Sequence, residues 1–208
     1  AAEALRHRDF DRMTPAELRD AERLVDLLEP RLELRRTRRY ELHHHGRLLA
    51  PRQMFRRNLG TGGEVTDWVW RRSIRRPRKI VVLCDISGSM EPYARAYLQF
   101  LTCAAGAGAN AEAFVFATRL TRVTRALQTR SPAQAIQRAA AAAPDWSSGT
   151  RIGDALREFN DRHGRRGMAR GAVVVIISDG WERGDPALVG REMARLARLA
   201  YRIVWVNP

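Results

Sequence analysis

The chain has 208 residues, 45% of them hydrophobic, and a formal net charge of +14 at pH 7, which predicts one globular domain with an appendage. Its apolar runs fall well short of the roughly 20 residues that cross a bilayer, and no leader of charged, apolar and small residues opens it. We therefore expect a cytoplasmic protein without a membrane span. The start at Ala1 instead of Met indicates a fragment or a processed chain.

Residues 1–75 are predicted to form a helical and arginine-rich N-terminal region. Within it, residues 14–29 carry a helical stripe of apolar side chains. Thr14 followed by Pro15 is a typical helix start, because the hydroxyl caps free backbone N–H groups and proline suits the first turn. Pro30 is expected to end this helix.

The next segment, residues 31–63, is rich in arginine and shows poor periodicity. Its densest part, Arg35-Arg36-Thr37-Arg38-Arg39, could bind nucleic acid phosphates or acidic groups on a protein partner. Tyr40 is the only aromatic residue nearby, so base stacking has little support. Nucleic acid is therefore the less favoured partner.

The histidine triplet at residues 43–45 is internal to the chain. His43 and His45 could share a metal ion, since alternate residues of an extended chain point to the same side. No cysteine or carboxylate cluster accompanies them, so we expect a triplet that faces solvent or a partner.

The remaining segments alternate between strand-like and helix-like patterns. A strand over residues 65–74 would place Trp68 and Trp70 on one face. From residue 76 onward we predict strands over 80–85, 111–117, 120–125, 171–178 and 202–206, and helices over 92–106, 132–142, 151–163 and 186–199. This order predicts an α/β fold over residues 76–208, with a doubly wound, mostly parallel sheet and 120–125 as an antiparallel edge strand.

Two of the predicted strands end in oxygen-bearing side chains. The first is followed by Asp85-Ile86-Ser87-Gly88-Ser89-Met90, and the strand over 171–178 leads into Ser178-Asp179-Gly180. Thr150 lies in a third loop, before the helix over 151–163. Because the carboxyl ends of parallel strands meet at one edge of a sheet, these loops should lie together.

Carboxylate and hydroxyl oxygens are ligands for a hard cation such as Mg²⁺. We therefore expect one metal site, with Mg²⁺ as the ion and Mn²⁺ or Ca²⁺ as alternatives. Its ligands would be Asp85, Ser87, Ser89, Thr150 and Asp179. Turn chemistry alone also favours Asp, Ser, Gly and Thr at strand-to-helix joints, but three matching loops favour the metal site.

This ligand pattern resembles the metal-ion-dependent adhesion site (MIDAS) of von Willebrand factor A (VWA) domains. Four further segments resemble the CoxE-like branch of that family. They are residues 114–124, Asp145-Trp146-Ser147-Ser148-Gly149-Thr150-Arg151-Ile152-Gly153, residues 178–185 and Arg202-Ile203-Val204-Trp205-Val206-Asn207-Pro208. One departure is Ser148, where the family pattern has a second glycine. The resemblance also implies a further strand and helix after Pro208, which this chain lacks.

The resemblance implies a function as well as a fold. CoxE-like proteins work with MoxR-type AAA+ ATPases as chaperones that mature metalloenzymes such as carbon monoxide dehydrogenase. The chain would then be a non-enzymatic adaptor whose metal accepts an Asp or Glu carboxylate of its partner. Trp181, next to the ligand Asp179, is expected to be an exposed recognition side chain. The alternative is an RNA-binding VWA protein that uses its basic segment.

Other sites are less favoured. An aspartyl nucleophile would need a second Asp where Ser87 stands, and neither a phosphate-binding loop nor a nucleophile elbow is present. Cys84 and Cys103 are the only cysteines, and both are predicted to be buried free thiols, as is usual in a reducing compartment.

Overall fold

A computed structural model describes residues 34–62, 64–90, 93, 110–128, 132–143 and 149–208. The chain divides into two compact units, one of residues 33–77 and a larger one that contains residues 78–208. The predicted helix over 14–29 and nearly all of the predicted helix over 92–106 lie outside the described residues. No helix in the described ranges is long and apolar enough to cross a membrane.

The smaller unit is a three-stranded antiparallel sheet with one short helix. Its elements are β1 (Leu34–His43), β2 (Leu48–Leu49), α1 (Pro51–Asn58) and β3 (Trp70–Pro77), and the strand order is β1-β3-β2. The register of β1 shifts between Arg36 and Tyr40, where the Arg39 amide donates to the Thr37 hydroxyl over 3.2 Å. The ring centroids of Trp68 and Trp70 lie 6.4 Å apart.

No strand was predicted within residues 31–63, yet β1 and β2 lie in this range. Nearly every side chain of β1 is exposed, so the strand has no alternation of apolar and polar residues to reveal it. Its hydrogen-bond partner β3 lies more than 25 residues away in sequence, and periodicity carries no information about such pairing. The predicted strand over 65–74 also begins later, at Trp70.

The larger unit contains a five-stranded sheet with the order β6-β5-β4-β7-β8. Its strands are β4 (Ile80–Asp85), β5 (Ala111–Phe116), β6 (Leu120–Arg122), β7 (Val173–Ile177) and β8 (Arg202–Val206). All neighbours are parallel except β6, which is antiparallel to β5 at the edge. The prediction of a doubly wound, mostly parallel sheet is confirmed.

Helices and apolar clusters cover both faces of this sheet. The helices are α2 (Thr124–Leu127), α3 (Pro132–Ala142), α4 (Ile152–Phe159) and α5 (Pro186–Ala197). Alternate residues of β4 belong to different clusters: Val82 and Cys84 pack in one, and Val81 and Leu83 in the other. Because β4 is buried on both faces, it reads in the sequence as a continuous apolar run.

The central position of β4 determines where its C-terminal loop lies. Cys84 pairs with Ile177 of β7 on one side, and Asp85 pairs with Phe116 of β5 on the other. The loops that follow these three strands therefore leave the sheet at the same edge, which is where ligands bind in open α/β sheets.

Candidate metal centre

Asp85 ends β4 and is fully buried. Its Oδ1 accepts a hydrogen bond from the Ser87 amide over 2.9 Å, and its Oδ2 accepts one from the Ser178 hydroxyl over 2.8 Å. Burial raises the pKa of this carboxyl above its usual value and the nearby charge of Asp179 adds to the rise, whereas the two hydrogen bonds oppose it. The carboxylate is thus held in one orientation, and an adjacent cation would stabilise its charge.

Ser89 connects the loop after β4 to the loop after β7. Its hydroxyl donates to Asp179 Oδ2 over 2.7 Å and lies 3.3 Å from the Ser87 hydroxyl. Asp179 Oδ1 accepts a hydrogen bond from the Trp181 amide over 2.9 Å. Three of the predicted ligands therefore form one continuous hydrogen-bonded group.

Thr150 is brought to the same place by the segment that precedes α4. The Arg151 amide donates to Ala117 O over 2.9 Å, and the Arg183 amide donates to Thr150 O over 3.2 Å. Thr150 is almost fully buried. Together with Ser87, Ser89 and Asp179 it lines a cavity of about 380 Å³, and Asp85 lies behind this wall of the cavity.

The donor set fits a hard divalent cation. It offers two carboxylates and three hydroxyls, and oxygen-only sets of this kind suit Mg²⁺. Asp85 would contribute charge from beneath the cavity, while Ser87, Ser89, Thr150 and Asp179 would contribute oxygens that line it. Within the described ranges no three His, Cys, Asp or Glu side chains come together as a metal cluster, so a site here depends on its hydroxyl groups.

Two functional contacts were not predicted from the sequence. Ser178 was placed in the loop motif, but its hydrogen bond to Asp85 was not foreseen. The two residues directly follow Cys84 and Ile177, which pair in the register of β4 on β7. Glu182 accepts a hydrogen bond from the Gly153 amide over 2.8 Å. This bond holds the loop after Asp179 against the first turn of α4.

The rest of that loop combines an exposed side chain, a helix cap and a sharp turn. The Trp181 side chain is 73% exposed and lines the cavity, as expected for a recognition residue. Asp185 caps α5 by accepting a hydrogen bond from the Ala187 amide over 2.9 Å. Gly180 has a φ of 81°, a backbone conformation that favours glycine, so the sharp turn after Asp179 depends on this residue.

Comparison with known protein families gives a match over most of the chain. The sequence profile of the family described as "VWA domain containing CoxE-like protein" matches residues 21–208. No curated protein matches the chain.

Solved structures with a related fold are more distant. A von Willebrand factor type A protein from Catenulispora acidiphila is 15% identical to this chain, with a TM-score of 0.44. The match covers 66% of this chain and 36% of that protein. Proximal thread matrix protein 1 from the mussel byssus is 16% identical with a TM-score of 0.42, and the coverage is 62% and 37%. The chain thus spans little more than a third of the length of either protein.

Proposed function

Because the chain belongs to the family of CoxE-like proteins that contain a VWA domain, we propose that it is a Mg²⁺-dependent protein-binding adaptor. The observation that carries this proposal is the oxygen-lined cavity at the carboxyl edge of the sheet, where three loops present Ser87, Ser89, Thr150 and Asp179. A Mg²⁺ ion held by a few protein oxygens keeps water in its remaining positions. A carboxylate of a partner protein can replace such a water.

The geometry of Asp85 supports a binding role rather than a catalytic one. Both of its carboxylate oxygens accept hydrogen bonds, and the side chain has no exposed surface. A nucleophile or general base must reach the substrate, and this carboxylate does not. We therefore assign no reaction to the centre.

The proposed partner is a MoxR-type AAA+ ATPase, and the proposed client is a metalloenzyme similar to carbon monoxide dehydrogenase. Membership of the CoxE-like family supports this pairing. The ATPase would supply mechanical work during maturation of the client, and the VWA unit would supply a surface that binds an Asp or Glu side chain. The resident ion would act as a Lewis acid toward that carboxylate.

The surface of the smaller unit favours a protein partner over nucleic acid. It combines many arginines with exposed apolar side chains, among them Leu42, Phe55, Leu59 and Trp68. Arginine and aromatic residues together are typical of protein interfaces. An exposed leucine, in contrast, forms no favourable contact with a charged phosphate group. The Arg71 guanidinium also lies 4.5 Å from the centre of the Tyr40 ring, so it covers one face of the residue considered for base stacking.

Capture of the purified AAA+ ATPase by the immobilised full chain tests this proposal. The chain would be compared with Thr150→Ala, with Thr150→Ser as the matched control that keeps the hydroxyl, and with Arg35, Arg36, Arg38 and Arg39 changed together to Glu. Each protein would be tested with Mg²⁺ and with EDTA.

We expect EDTA and Thr150→Ala to abolish capture and Thr150→Ser to retain it. The arginine substitutions should only weaken capture, because exposed charge pairs are screened over about 8 Å at physiological ionic strength. Capture that is indifferent to EDTA would contradict the metal-dependent mechanism. The RNA-binding alternative would be favoured if only the arginine substitutions abolish capture and the unmodified chain also binds RNA.

A further inference from the structure

Arg183 lies at the rim of the candidate metal centre, and its side chain packs across Gly149. A β-carbon at Gly149 would lie 3.0 Å from Arg183 Nη1 and 3.1 Å from its Cδ, so a larger residue there would displace the arginine. The Arg183 backbone donates to Thr150 O over 3.2 Å. The guanidinium is therefore positioned beside Thr150 by its own loop, and it lines the same cavity as the predicted ligands.

The acidic neighbours of Arg183 are occupied elsewhere. Glu182 accepts hydrogen bonds from the amides of Gly153 and Gly184. Asp185 caps α5 and pairs with Arg191 over 3.1 Å. Among the described residues no acidic side chain forms an ion pair with Arg183. This cation therefore lies beside a cavity that is also lined by three hydroxyl groups and the Asp179 carboxylate.

We propose that Arg183 is a specificity-determining residue that binds the carboxylate of the protein ligand at the metal centre. This inference rests on the proposed function and adds a residue that determines which ligand the site selects. A positioned guanidinium forms charge-assisted hydrogen bonds with a carboxylate, and it has no such attraction for a neutral amide. The centre therefore selects Asp or Glu over Asn or Gln, and Trp181 on the same rim offers apolar surface to the residues beside the acid.

A purely structural role for Arg183 leads to different results. If the residue only fastened its loop against Gly149 and Thr150, replacing it would loosen the Thr150 loop and weaken metal binding. If it binds the ligand carboxylate, its replacement removes a positive charge near the ion. A unit charge and a divalent ion 4 Å apart in water repel each other by about 2 kcal/mol, so Mg²⁺ affinity should stay equal or rise by up to roughly thirtyfold.

The test uses the full chain with Arg183→Gln and Arg183→Lys. Arg191→Gln is the matched control, because Arg191 is also exposed but is paired with Asp185. Calorimetric titration measures Mg²⁺ affinity. NMR titration of the Mg²⁺-loaded proteins then compares two blocked tripeptides, one with a central Glu and one with a central Gln.

We expect the unmodified chain and Arg191→Gln to prefer the Glu peptide. Arg183→Gln should reduce that preference by about tenfold, the size of one charge-assisted hydrogen bond of about 1.4 kcal/mol, and Arg183→Lys should restore part of it. Loss of Mg²⁺ binding in Arg183→Gln, or an unchanged preference, would overturn the inference. If the unmodified chain binds Mg²⁺ without preferring the Glu peptide, the inference about Arg183 is overturned but the proposed metal centre is not. If the unmodified chain binds no Mg²⁺, the inference and the proposed function are both overturned.

Discussion

The Ser178 hydroxyl donates a hydrogen bond to Asp85 Oδ2 over 2.8 Å, and this bond joins the ends of two neighbouring parallel strands. Both residues are fully buried. The hydroxyl oxygen of Ser178 in turn accepts a hydrogen bond from the Gly180 amide over 3.1 Å. The carboxylate of β4 and the turn after β7 are therefore aligned by one hydroxyl group.

Replacing Ser178 by Ala should weaken the metal centre without touching a predicted ligand. Loss of a residue that orients a ligand typically costs about tenfold or more in metal affinity. The free energy of unfolding should also fall by about 1–3 kcal/mol, because a buried acceptor loses a donor. Calorimetry and urea unfolding would measure the two effects, with Ser73→Ala in the smaller unit as control. Unchanged Mg²⁺ affinity would show that the hydrogen bond has no role in the centre.

Asp85→Asn and Asp85→Ala should abolish Mg²⁺ and Mn²⁺ binding and leave the domain folded. Burial raises the pKa of Asp85 chiefly by desolvation, so its charge is costly unless a cation is present. The hydrogen bond from Ser89 to Asp179 does not involve Asp85, so it should still join the two loops in either variant. Calorimetry and circular dichroism would check binding and folding. Undiminished binding in either variant would place the site elsewhere.

Thiol titration should find two free cysteines in the denatured protein without added reductant. In the native protein Cys84 should react very slowly, because it is fully buried and burial raises the pKa of its thiol far above the usual value. Thiolate, the reactive form, is then nearly absent. Cys103 lies outside the described residues. A disulfide between the two would contradict the expected reducing compartment.

The stability of the larger unit should decline in mildly acidic solution because of His163. Its ring centroid lies 4.9 Å from that of Phe114, and desolvation, helped by the charge of Arg122, lowers the pKa of His163 below the usual value of 6.5. The folded state therefore binds this proton less readily than the unfolded state. The resulting stability is fully present above the unfolded pKa and is lost as pH falls from about 6.5 through the folded pKa.

The variant His163→Phe should remove this pH dependence while keeping the aromatic contacts. Urea unfolding at pH values on both sides of about 6.5 would measure it, with the exposed His44→Gln as the control. If the variant keeps the full decline of the native protein in acid, other groups are responsible for it.

The strands that carry the candidate metal centre were predictable because of their burial. β4 and β7 are continuous apolar runs that end in Asp, Ser and Gly, and the rule that parallel strands end at one edge brings Asp85 and Asp179 together. The antiparallel edge strand β6 followed from the short connection after Phe116. These predictions needed only local patterns and one rule of topology.

Other features depend on contacts between distant parts of the chain. The helix predicted over 151–163 has regular turns only as far as Phe159, and wider turns follow. There the buried side-chain amide of Asn160 donates to the Glu192 backbone O over 3.0 Å and to Glu192 Oε2 over 2.8 Å. The position of Arg183 likewise depends on the absence of a side chain at Gly149. No periodicity in either segment encodes its partner.

Two indole groups flank the short loop that carries Asp179. Trp205 donates from its ring nitrogen to Ser178 O over 3.0 Å, and the Trp181 backbone holds Asp179 while its ring is exposed to solvent. Any change at Asp179 therefore alters the surroundings of two fluorophores, one half-buried and one in water. Mg²⁺ binding at the candidate centre should therefore change the tryptophan fluorescence of the unlabelled protein. The variants Trp181→Phe and Trp205→Phe would separate the contribution of the exposed ring from that of the half-buried one.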